Sequence, residues 1–471
     1  MAYKHLPRFA LVVLWIALSA VSLLVPSQPP HFPLTSLISQ IQYGYHIAAL
    51  NSTSQSIICD VDPNGAKQTG SIGLPSCVDM SEASFGTVTS AYTVGGLFAS
   101  LQAGSLIERW GKKGTAVRSA GVLSLGTAAV AFGSSLWVLV LGRILVGMSC
   151  GIATVLVPLY LSSVAPPAIA GSIGIITQIS VNSGIVAAQG FSLPLSSPGT
   201  GNWRYVSIIS LALAVVQILT APLMPESGKK TSTSPVYDVE DTEDEERAPL
   251  SGEIGDNPPR RRAEESASSL SFWEVLRSKD VSIRRPLYTL ALVMLFQQLS
   301  GINAVMYYST SILNAVNPAS AKTVSLFVTL VNLFMTFPIV YLIDRLGRRT
   351  LLLSSLAAMC VSTAVIGWSI NNDHFWLASV FIVLFVAGFA FGCGPVPFVL
   401  CGEMPAEEAK SATASVAVGV NWTANLLVGI GFLPLRDYLA GPDGSSGSGT
   451  VFYVFTATTG VGAVVLSRLL H

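Results

Sequence analysis

Charge is scarce in this sequence. Only 11% of its 471 residues are Asp, Glu, Lys or Arg, against about a quarter in an ordinary soluble chain. The 26 basic and 26 acidic residues cancel, so no basic excess points to nucleic acid. Six cysteines are too few for a disulfide-built scaffold at this length. Five histidines, at 5, 31, 46, 374 and 471, are too scattered for a metal cluster. The patterns Gly-x-x-x-x-Gly-Lys-Ser/Thr, His-Glu-x-x-His and Cys-x-x-Cys are missing, which argues against an ATP-driven pump of that type, an enzyme and any cofactor.

Apolar residues, by contrast, make up 51% of the chain. They gather into runs at roughly 84–106, 115–134, 136–162, 171–194, 203–224, 286–312, 322–343, 350–370, 376–402, 411–435 and 450–468. Each is close to the ~20 residues a helix needs to cross ~30 Å of hydrocarbon. Their glycines and prolines suit membrane helices. One polar island interrupts them: residues 228–265 hold 11 acidic and 6 basic residues, leaving 35 charges for the other 433 positions. The expectation is an all-α polytopic membrane protein with 1–227 as one half, 228–285 as linker and 286–471 as the other.

The N-terminus is irregular. Phe9–Val25 is apolar, but Pro26–Pro33 would break a helix joining it to the next stretch. Removing residues 21–40 joins Phe9–Ala20 to Ile41–Leu50 in one 22-residue span. The block begins Val-Ser and ends in Gln, codons that fit intron borders, so a translated intron is the expectation. A signal peptide built on Lys4, Arg8 and Ala20 is the alternative. Twelve spans, six in each half, follow.

Two short loops repeat each other: Glu108-Arg109-Trp110-Gly111-Lys112-Lys113 and Asp344-Arg345-Leu346-Gly347-Arg348-Arg349. Each follows the second span of its half, the mark of a transporter made of two repeats. Positive loops stay in the cytosol, which puts the linker there as well. Glu246-Arg-Ala-Pro-Leu250 in the linker resembles an acidic dileucine signal for a trafficking adaptor, with Ser251 in place of the second apolar residue. A plain solvated linker is the alternative. The loop 51–80 then faces the other side, with an N-glycosylation acceptor at Asn51 and with Cys59 and Cys77 either paired or free. Asn421-Trp-Thr423 also fits the acceptor pattern but lies inside a span.

The intramembrane polar residues carry the functional reading. The seventh span offers amides at Gln297, Gln298 and Asn303, phenols at 307 and 308, and a helix break at Gly301. Gln178 and Gln189 lie in the fifth span, Asn332 in the eighth and Asn425 in the eleventh. Amides both donate and accept, which matches a neutral hydroxylated ligand. Phe398 and Trp422 add apolar faces for a sugar's C–H surface. The alternative is hydrogen bonding between helices alone.

At these residues the chain resembles the sugar porters of the major facilitator superfamily, closest in pattern to facilitative glucose transporters. Gln297-Gln-Leu-Ser-Gly-Ile-Asn303, Tyr307-Tyr-Ser-Thr-Ser311, Asn421-Trp-Thr-Ala-Asn425, Gly142-Arg143, Pro158-Leu-Tyr160, Pro225-Glu-Ser227 and Gly394-Pro-Val-Pro397 carry the likeness. It implies the major facilitator fold and a midplane hexose site lined by Gln178, Gln297, Gln298, Asn303, Asn332, Phe398 and Asn425. Phe398 stands where the family carries Trp, and Ala390 where glucose transporters carry Glu, so an inositol or another polyol is the alternative solute. A non-transporting sensor or trafficking factor is the other function class, usually marked by long cytosolic tails. Vacuolar or endosomal membrane and plasma membrane are the two expected locations.

Proton-coupled members carry Asp where this chain has His46, in Tyr43-Gly-Tyr-His46, and glucose uniporters carry Asn. A histidine is a natural proton switch, but a buried imidazole is more stable neutral, so facilitated diffusion is expected. By the same resemblance a cytosolic gate would comprise Arg109, Arg143, Asp344, Arg345, Arg348, Arg349, Glu403 and Lys410. The family's Glu and Arg partners in the first half are Ser163 and Ala170 here. An inward-open resting bias is therefore expected.

Overall fold

The computed structural model describes residues 34–50, 53–59, 69–70, 72–164, 170–197, 199–224, 270–306, 321–440 and 449–470. Asn51, the dileucine-like segment 246–251 and the 307–311 motif lie outside the described residues. Within them, eight helices are long and apolar enough to cross a bilayer. Val324–Thr336 with Ile339–Leu346, bent by 48°, makes a ninth.

The first span is Leu34–Ala48. Glu82–Phe132 holds the second and third, broken at Gly111, whose φ of 69° suits glycine. The fourth, fifth and sixth are Leu136–Val164, Ala170–Leu195 and Trp203–Thr220. In the other half the seventh is Val281–Leu299, and the eighth comprises Ala321–Thr336 and Ile339–Leu346. Arg348–Asn371 is the ninth, followed by a tenth made of Phe375–Gly388, a wide turn at Phe389–Cys393, and Val396–Glu403. Lys410–Ala440 and Val451–Leu469 complete the set. Among the described residues this is an all-α polytopic membrane fold in two halves.

Large apolar side chains such as Phe98, Leu125, Trp137, Leu219, Phe327, Phe334 and Leu427 point outward, where lipid rather than water covers them. Polar side chains are instead buried between helices. Gly347 repeats the left-handed backbone of Gly111 with φ 80°, so the two charged loops match in conformation as well as sequence.

The first span differs from the sequence expectation. Residues 34–40, assigned there to an excised block, form its first two turns, in place of Phe9–Ala20. Leu37 and Ile38 are buried, Ser39 accepts a hydrogen bond from Gln217 Nε2 at 2.8 Å, and Gln40 Nε2 donates to the Ala153 carbonyl at 3.2 Å. Those partners on the sixth and fourth spans explain how such a polar segment is held in the bundle. Residues 1–33 lie outside the described residues.

Candidate functional site

The seventh span stops at Leu299, and Gly301 at φ 86° turns the chain before a further helical turn. The tenth span breaks beside it for a different reason. Pro397 has no N–H to donate to the carbonyl four residues back, that of Cys393. Gln297 Nε2 supplies that bond at 2.7 Å and also reaches the Gly394 carbonyl at 3.2 Å. Its Oε1 accepts from Asn421 Nδ2 at 2.6 Å. Asn421 Oδ1 in turn accepts from Gln298 Nε2 at 3.0 Å, and Asn303 Nδ2 donates to Gln298 Oε1. Three of the expected site residues thus meet in one network, completed by Asn421.

Gln178 and Asn332 meet in a second network, through a residue that the sequence analysis did not single out. Gln178 Nε2 donates to Asn182 Oδ1 at 3.1 Å, and Asn182 exchanges amide bonds with Asn332 across the two halves. Trp422 lies between Tyr43 and Tyr92, with ring centroids 5.8 and 5.5 Å away, and donates to Thr154 Oγ1 at 3.3 Å. Its indole therefore also crosses the midline. Asn425 is buried and Phe398 half-buried. Both networks consist of uncharged donors and acceptors, which a hydroxylated ligand can match bond for bond.

His46 sits within the first half. Gln42 Nε2 donates to the Ser210 carbonyl at 2.7 Å, which leaves Gln42 Oε1 to accept from Ser210 Oγ at 2.7 Å. The Ser210 proton is thereby used, so His46 Nε2, 2.8 Å from Ser210 Oγ, is the donor there. Arg143 corrects the expected gate. It is buried in the fourth span, donates to the His46 carbonyl at 3.3 Å and lies 4.5 Å over the Tyr92 ring. It belongs to this inner cluster because its long side chain finds an aromatic face and a carbonyl there.

At the end carrying the charged loops, Arg348 binds Glu403 through two nitrogens, at 2.9 and 3.1 Å, and Asp344 at 3.0 Å. Arg349 reaches the Ser467 carbonyl at 2.9 Å, Arg345 is exposed, and Arg109 lies 6.0 Å from the Trp110 ring. Lys410 departs from the expected set: it pairs with Glu407 three residues away, at 2.7 Å.

At this end the two halves touch at positions where neither Ser163 nor Ala170 supplies a charge. A Cβ added at Gly174 would lie 2.7 Å from Val399 Cγ2, and one at Gly402 would lie 3.1 Å from Ser162 Cβ. Such close approach of the halves needs small residues. Ser411 Oγ bonds Glu108 at 3.0 Å, and the Gly104 N–H bonds Ser415 Oγ at 2.9 Å.

At the opposite end Cys59 and Cys77 are joined as a disulfide. The loop they staple is held by the start of the sixth span. Trp203 Nε1 donates to the Ser76 carbonyl, and Arg204 to those of Pro75, Ala131 and Gly133.

This bent-helix bundle, with polar networks between two similar halves, defines a carrier of the major facilitator class. A family profile described as "Sugar (and other) transporter" matches residues 32–467, and the chain belongs to that family. Its members are transporters rather than enzymes. A probable metabolite transport protein of Saccharomyces cerevisiae is 28% identical, with 90% of this chain and 88% of the relative covered. Vacuolar protein sorting-associated protein 73 of the same yeast is 29% identical over 87% of this chain and 88% of its own. Mouse facilitated glucose transporter member 7 is 30% identical, covering 84% and 79%. Among solved structures, a proton:xylose symporter superposes with a TM-score of 0.69 at 17% identity, covering 92% of this chain and 94% of the other. That last likeness bears on the fold alone.

Proposed function

We propose that the protein carries a neutral hydroxylated solute, a hexose, across its membrane by facilitated diffusion, one half rocking against the other. The observation that carries this reading is the composition of the two buried networks. Gln297 and Gln298 bond through their amides to the tenth and eleventh spans, Asn303 bonds Gln298, and Gln178 bonds Asn182, which joins Asn332 across the midline. Trp422, held against Tyr43 and Tyr92, would add an apolar ring, and Phe398 and Asn425 complete the proposed lining. Mouse facilitated glucose transporter member 7 is consistent with a hexose.

Uniport rests on His46. Its ring donates to a serine within a neutral chain of bonds, and Arg143 lies on the carbonyl side of the same residue. A cation next to another cation is disfavoured, so the imidazole serves as a hydrogen-bond donor rather than a proton carrier. A polyol is the second reading, favoured by Phe398, which brings no N–H donor to the tenth span.

The charged loops and linker are proposed to face the cytosol, with the Cys59–Cys77 loop opposite. A vacuolar or endosomal membrane is favoured by the acidic linker and by the vacuolar sorting relative, with plasma membrane the alternative. Purified protein in liposomes, given a panel of radiolabelled hexoses and myo-inositol, tests the proposal. Saturable hexose uptake supports it, inositol uptake alone selects the second reading, and uptake of neither refutes both.

A further inference from the structure

We infer that Asn182 is a solute-displaceable latch: it occupies the amides of Gln178 and Asn332 and ties the two halves together, so it sets the affinity for solute. The inference deepens the transport reading above and rests on it.

The bonds around Asn182 leave one arrangement. Thr336 Oγ1 donates to the Asn332 carbonyl at 2.8 Å, which uses its only proton. Its lone pair therefore accepts from Asn182 Nδ2 at 2.9 Å, and this fixes which way the Asn182 amide faces. Asn182 Oδ1 then accepts from Gln178 Nε2 at 3.1 Å and from Asn332 Nδ2 at 3.2 Å. Asn182 Nδ2 returns a bond to Asn332 Oδ1 at 3.3 Å. Asn182, Asn332 and Thr336 are each at most 3% exposed, and Gln178 7%. The cluster spans the fifth and eighth spans, hence both halves.

Two consequences follow from this saturation. The amides of Gln178 and Asn332 are not idle, since Asn182 fills them as a ligand would. A buried polar group gives up a partner cheaply only when another takes its place. A hydroxyl both donates and accepts, so a sugar or polyol hydroxyl can replace the Asn182 amide one for one, whereas an apolar group cannot. Solute binding then releases a bond between the halves, which couples occupancy to movement. The latch also lowers the apparent affinity, because part of the binding free energy goes to breaking it.

Asn182→Val removes the latch with little change in bulk. Binding of radiolabelled D-glucose and myo-inositol is measured by scintillation proximity on parent and variant, with folding checked by size exclusion and thermal shift. The latch predicts a Kd lower by about fivefold to tenfold for whichever probe the parent binds. A Kd that is unchanged or raised overturns it. Should Asn182→Val fail to fold, Thr336→Val removes one acceptor and leaves both amides, and a smaller shift in the same direction is expected. No shift there overturns the inference.

A parent that binds neither probe refutes the transport reading, and a second measurement then decides the latch. Spin labels at Ser163 and Glu407, on opposite halves at the charged end, report the separation without any solute. A longer or broader distance in Asn182→Val supports the latch, and an unchanged one overturns it.

Discussion

The side-chain amide of Asn421 donates to Gln297 Oε1 at 2.6 Å, joining the eleventh span to the seventh. Gln297 in turn holds the Cys393 and Gly394 carbonyls of the tenth span, so one residue pair ties three helices at the point where two of them break. Asn421→Leu should leave Gln297 Oε1 and Gln298 Nε2 buried without partners. A loss of about 1–3 kcal/mol for each is expected, with weaker sugar binding because Gln298 is no longer oriented. A lower thermal midpoint with reduced uptake is the expected outcome, and a parent-like variant would contradict it.

Close backbone approach brings the halves together at the charged end. Gly402→Leu should wedge the tenth span away from Ser162 of the fourth. Maximal transport rate should fall at least tenfold while solute still binds. Labelling of a cysteine at position 163 should rise, since the closed form is lost.

The Arg348–Glu403 pair should matter little for stability despite its two-pronged geometry. The side chains are 28% and 32% exposed, and pairs so accessible to water are worth roughly 0.2–1 kcal/mol. A double-mutant cycle with Arg348→Ala and Glu403→Ala should return a coupling in that range. A value above about 3 kcal/mol would mean that the pair acts as a lock.

Glu274 gives a pH dependence outside the membrane. It closes a capping box on Phe272–Arg277, where the Ser271 backbone N–H and then its side chain hold the carboxyl below its ordinary value. A depressed carboxylate stabilises the fold above its unfolded pKa of about 4.3, and that contribution disappears as pH falls through the lower folded value. Amide exchange at 271–277 should therefore quicken, beyond its intrinsic pH dependence, only below pH of about 4. Glu274→Gln should remove that acid step.

The all-α polytopic fold, the repeated charged loops and the Gly301 break were legible because composition, glycine and topology report on local structure. Gln297, Gln298 and Asn303 were legible because they fall in one short motif. Asn182 was not, since one asparagine in an apolar helix does not reveal its partner 150 residues away. Arg143 misled for the related reason that an arginine in a span carries no mark of which end it serves. Residues 34–40 were assigned to an excised block from its borders, and the bonds from Gln217 to Ser39 and from Gln40 to Ala153 are not visible in the sequence.

Passive carriage of a hexose is tested most directly by counterflow in liposomes loaded with unlabelled D-glucose, run with and without an imposed pH gradient. Transient uptake of labelled glucose that decays to equilibrium, the same at both settings, is predicted. No counterflow with any hexose, or steady accumulation driven by an inward proton gradient and lost in His46→Asn, would contradict it.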